Sequence, residues 1–83
     1  MTTAGQIHFR EIRRMLDACA PGAVIVPKLH HNWVTYQGKT YRGLPLGKHG
    51  KRENPEIQAG HVKRMARFLG ILPCAQREIP GLR

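Results

Sequence analysis

His30 and His31 stand side by side just ahead of an aromatic-rich run, Asn32-Trp33-Val34-Thr35-Tyr36, and a basic segment follows near the C-terminus. An imidazole exchanges protons close to neutral pH, and a cationic surface attracts phosphate, so together they point to chemistry on RNA. The remaining histidines, His8, His49 and His61, read as solvent-facing or capping residues. None of the five forms a His-x-x-x-His ligand spacing with a nearby acid, so no metal is expected.

Other catalytic arrangements find little material. The chain contains no serine, which excludes a serine nucleophile. Its five acidic residues, Glu11, Asp17, Glu53, Glu56 and Glu78, are scattered and suggest no carboxylate pair for a two-metal nuclease. Cys19 falls on the apolar stripe of a helix, where a buried structural thiol is expected. Cys19 and Cys74 form neither a C-x-x-C pair nor a cysteine-rich framework, so neither a structural zinc nor a disulfide scaffold is expected.

With 83 residues the chain makes one small domain, 1–83, burying about 60 to 65% of the surface its unfolded form exposes. Fourteen Lys and Arg against five Asp and Glu give a formal charge of +9. Such an excess costs self-repulsion, which a polyanionic partner would offset. The N-terminus shows neither a basic n-region nor an apolar h-region, and no run approaches the ~18 apolar residues of a membrane span. A complete, cytoplasmic, unexported chain is the expectation.

Phe9, Ile12, Leu16 and Cys19 recur at helical spacing and predict a helix over residues 7–19, stopped by Ala20-Pro21-Gly22. Ala23-Val24-Ile25-Val26-Pro27 predicts a strand. Two further strands, 31–36 and 39–44, meet at Gln37-Gly38, a two-residue hairpin signal. Pairing through that turn sets Tyr36 opposite Lys39, Thr35 opposite Thr40, Val34 opposite Tyr41 and Trp33 opposite Arg42. Period-two alternation puts His31, Trp33, Thr35, Thr40 and Arg42 on one face, and His30, Asn32, Val34, Tyr36 and Tyr41 on the other. The pattern does not say which face is core. The aromatic residues serve core packing and cross-strand pairing, with a subset free to stack on bases.

Residues 45–55, rich in Gly, Pro and Lys, read as a loop whose Lys48 and Lys51 are placed to hold a phosphate or simply to be solvated. Glu56 to Leu69 predicts a second helix, with Ile57, Val62, Met65, Ala66 and Leu69 inward, Lys63, Arg64 and Arg67 outward, and Gly70 closing it. The tail, residues 72–83, has no clear period. It is left to dock its apolar residues, lie loose or mediate self-association. The predicted class is α+β in the order helix, strand, strand, strand, helix, with both helices on one face of a three-stranded antiparallel sheet.

The order and spacing of these pieces resemble the HicA, or YcfA-like, mRNA interferase toxins, small proteins with a double-stranded-RNA-binding-domain-like (dsRBD-like) fold. His30-His31-Asn32-Trp33 matches that family's His-x-x-aromatic unit, Gly38 falls at its hairpin glycine, and Glu56 to Ile71 follows its helix without a gap. The resemblance covers about residues 7–71. Lys28-Leu29 stands where the family has Gly-Ser, Gln37 replaces its hairpin Asp, and the segment from Pro45 to Glu56 is longer, leaving His49 only an approximate Pro-x-His match.

The resemblance implies a metal-independent endoribonuclease, a toxin of a toxin–antitoxin module, with no cofactor. His30 would be the catalytic acid or base, with His31 the competing candidate. Lys28, Lys39 and Arg42 would stabilise charge at the phosphate, and His31, Lys48, Lys51 and Lys63 would complete the RNA-binding set. Its partners would be mRNA and a HicB-type antitoxin that covers His30. A second expectation keeps the fold and drops the catalysis: a dsRBD-like nucleic-acid-binding module of phage or mobile-element origin. A third is a protein-interaction domain whose basic face meets an acidic partner.

Overall fold

The computed structural model describes residues 5–46 and 55–83. Among these the chain runs β1 (Gln6–His8), α1 (Phe9–Cys19), β2 (Val24–Pro27), β3 (His31–Tyr36), β4 (Lys39–Pro45), β5 (Glu56–Gln58), α2 (Ala59–Leu69) and α3 (Leu72–Glu78), then a 3₁₀ turn, Pro80–Leu82. It is an α+β fold with antiparallel sheets. β2, β3 and β4 form the expected three-stranded meander, while β1 and β5 pair as a separate two-stranded ribbon.

That ribbon corrects the expected helix starts. Residues 7–8 and 56–58 read as first turns of helices because their apolar residues suit either period. Ile7 and Ile57 instead face each other across the ribbon and are both buried. Each short strand runs straight into a helix. The first amide of α1, Phe9 N–H, donates to Pro55 O at 2.8 Å, and that of α2, Ala59 N–H, donates to Gly5 O at 2.6 Å. Two helix-start donors that would otherwise lack partners are satisfied by this exchange. The ribbon is a clasp holding the two helix N-termini side by side.

Phe9, Ile12, Met15 and Leu16 of α1 and Val62, Met65, Ala66 and Leu69 of α2 turn inward to one core. The inner face of the meander supplies Val34 and Leu44, and Asn32 is the one buried polar residue among those described. The hairpin turn forms at Gln37 and Gly38, both with positive φ, and the expected pairs Tyr36–Lys39, Thr35–Thr40 and Val34–Tyr41 are present. Beyond Val34 the register shifts, so that Asn32 faces Leu44 and His31 faces Pro45. One extra β4 residue is accommodated opposite Trp33, which lets Tyr41 and Leu44, three apart, both serve the core side. Asn32 Nδ2 donates to Pro45 O at 3.2 Å, giving this buried amide a partner.

The tail is docked. Ile71, Ala75, Ile79 and Leu82 are buried, α3 packs against both α1 and α2, and Cys74 is disulfide-bonded to Cys19 at the end of α1, with their Cα atoms 5.7 Å apart. This corrects the expectation of two unlinked thiols. The two cysteines are 55 positions apart, and the chain between them carries no local sign that α3 folds back onto α1.

Gly70 ends α2 with φ +77°, and Ile71 N–H returns to Ala66 O at 2.9 Å. An added Cβ at Gly70 meets nothing nearer than Lys39 Nζ at 3.9 Å, so an alanine would pay backbone strain without a clash. Gly70→Ala is expected to destabilise the fold by about 1 kcal/mol, read as a lower urea midpoint at unchanged slope.

Candidate functional site

His30 is not a strand residue. Lys28 N–H donates to His31 O at 2.8 Å, closing a turn whose two tip residues are Leu29 and His30. The direction of the His30 ring is therefore set by the turn and not by strand alternation. His30 is exposed, and Leu29 beside it is 84% exposed.

His30 lines a cleft of about 570 Å³ between this turn and the clasp. Leu29 and His30 form one wall, Pro45 and Leu46 at the end of β4 another, and Gln6, Glu56, Ile57 and Gln58 of the clasp a third; His61 from the first turn of α2 completes it. By sequence alone His61 is expected to face solvent or to cap a helix. It is instead half-buried, and its Nδ1 is enclosed without a hydrogen-bond partner. His8 likewise stands at the N-cap position of α1 but makes no capping bond, and its Nδ1 is enclosed without a partner. No side chain caps α2, whose N-terminus is flanked by the cleft residues Gln58 and His61.

His30, His61 and the exposed Glu56 thus line one cleft. The sequence held no signal for this pairing, since His30 and His61 are 31 positions apart and belong to different elements. Two imidazoles can divide a proton-transfer reaction, one accepting and one donating, with a carboxylate nearby to orient a ring. Among the described residues, no three His, Cys, Asp or Glu side chains gather into a metal-ligating group.

The expected cations are elsewhere. Neither Lys28, Lys39, Arg42 nor Lys63 lines this cleft. Lys28 and Arg42 meet on the outer face of the meander, where the Lys28 ammonium lies 4.8 Å and the Arg42 guanidinium 4.7 Å from the Trp33 ring centre. His31 is exposed and shares that face with Trp33 and Thr35 through strand alternation. Lys39 alternates with Tyr41 onto the inner side, and its ammonium lies beside Gly70 at the negative end of α2. Lys63 is half-buried on α2. The single basic site expected around His30 is therefore divided. Lys48 and Lys51 lie outside the described residues.

No protein-family model matches the chain, and neither a curated protein nor a solved structure matches it.

Proposed function

We propose that this protein is a HicA-like endoribonuclease that cuts mRNA by histidine acid–base chemistry, with His30 at its centre. The observation that carries this reading is the placement of His30: exposed, on a turn, at the wall of a cleft that also holds His61 and Glu56. In the proposed reaction one imidazole removes the proton of a ribose 2′-hydroxyl as its oxygen bonds to the adjacent phosphorus. The phosphorus–O5′ bond breaks, and the second imidazole delivers a proton to the departing O5′. The products are a 2′,3′-cyclic phosphate and a 5′-hydroxyl end. The cleft volume is in the range of small-ligand sites, enough for a ribose and its phosphate.

The order α1, β2–β3–β4 meander, α2 supports a dsRBD-like reading of the fold, to which the clasp and α3 are additions. The resemblance supplies the setting: a toxin held in check by a HicB-type antitoxin that covers the His30 cleft. Incubating the pure protein with labelled RNA in chelator is expected to yield fragments ending in 2′,3′-cyclic phosphate. RNA that stays intact while binding tightly would replace this reading with the non-catalytic binding module, which the separation of Lys28 and Arg42 from the cleft favours.

A further inference from the structure

We propose that the outer face of β2–β3–β4 is a binding platform for single-stranded RNA, distinct from the His30 cleft. Between Asp17 and Glu53 the chain contains no acidic residue, so the whole meander is free of carboxylates. On its outer face two cations are gathered on one indole, Lys28 and Arg42 on Trp33. Contact with the ring restrains both long side chains before any ligand arrives, which lowers the ordering cost of binding phosphate. Val24 and Val26 flank them, 53% and 41% exposed, paired with Thr35 and Trp33 of the same face. Thr35 and Thr40 add hydroxyls, hydrogen-bonded to each other at 3.0 Å.

Cations interleaved with exposed apolar side chains suit a strand whose bases are unpaired. A duplex offers such a surface mainly phosphate and sugar, leaving the valines without a partner. Three strands span only about 10 Å across, a width suited to one backbone and not to two. The platform and the cleft meet at the β2–β3 turn, where His31 belongs to the outer face and His30 to the cleft. A strand lying along Lys28 and His31 passes over this turn to His30. The choice of RNA over DNA rests on the ribonuclease reading; recognition of phosphate and unpaired bases does not.

The test uses a fluorescent 2′-O-methyl RNA 12-mer, which the proposed chemistry cannot cut, and follows its anisotropy with the full chain. Lys28→Gln/Arg42→Gln is expected to weaken binding at least tenfold and to flatten the salt dependence by about two charges. Trp33→Ala is expected to weaken it similarly, and Arg64→Gln, at an exposed position on α2, to leave it unchanged. The same strand annealed to its complement should bind less tightly. Wild-type affinity in the double variant, tighter binding of the duplex, or no binding of the 12-mer by the wild type at low salt would each overturn the proposal. Loss of binding in the double variant, alongside wild-type protein that leaves unmodified RNA whole, would keep the platform and remove the nuclease. RNA cutting that proceeds with unaltered KM in the double variant would do the reverse.

Discussion

His30→Ala is expected to lower RNA cleavage by about 10²- to 10⁴-fold, the usual worth of one positioned general acid or base. Because His30 is exposed at a turn tip and makes no hydrogen bond among the described residues, its removal is expected to change stability by less than about 0.5 kcal/mol. Affinity for an uncleavable strand should also hold, since the proposed binding face lies elsewhere. His61→Ala is expected to give a loss of similar size. If the two imidazoles act as a unit, the double variant should be little worse than either single one. His31→Ala should leave the rate at saturating RNA intact and alter binding alone. Single-turnover rates with the four variants decide the matter. Cutting that survives His30→Ala but not His31→Ala would move the reaction from the cleft to the outer face.

Opening the Cys19–Cys74 bond should have the largest effect on stability. It closes a loop of 55 residues, for which chain-entropy reasoning gives about 4 kcal/mol. A domain of this size has roughly 5–15 kcal/mol in total, so the Cys19→Ser/Cys74→Ser protein is expected to melt some 15 °C or more below the oxidised one. What loosens first should be α3 and the following 3₁₀ turn, because the bond ties α3 to α1. Ile79 and Leu82 would then leave the core. Ile7 is exposed to the same change, since an added Cβ at Gly81 would lie 3.4 Å from its side chain. The clasp, and with it Gln6 and Glu56 of the cleft, is therefore expected to lose amide protection when the protein is reduced. Melting curves recorded with and without reductant, with hydrogen exchange on the same samples, measure both effects. An unchanged midpoint would mean that packing of α3 alone supplies its attachment.

How far the chain could be read without its fold differs from element to element. The inward residues of both helices apart from Met15, the stop at Ala20-Pro21-Gly22, the αL closure at Gly70 and the Gln37-Gly38 hairpin were legible. Each depends on neighbours within one or two turns of chain, where side-chain period and backbone dihedral preference act directly. The basic character of the meander was equally plain, because charge is a property of composition. The clasp between residues 6–8 and 56–58 was not legible, nor the Cys19–Cys74 bond. Both join segments roughly fifty positions apart, and the free energy that selects them comes from burial of Ile7, Ile57, Ile79 and Leu82 in a shared core. Nothing in their local patterns records that pairing.

The same division governs the candidate site. His30 stood out by its residue type and setting, but its ring direction follows from a two-residue turn and its companions, His61 and Glu56, arrive through the clasp. The cations that sequence order placed near it are drawn to Trp33 and to the end of α2, because strand alternation sends Arg42 and Lys39 to opposite faces of the meander. Residue chemistry and local conformation are properties of short stretches of chain. Which groups meet in one cleft depends on long-range packing, where a shift of one position in register carries a side chain from one side of the sheet to the other.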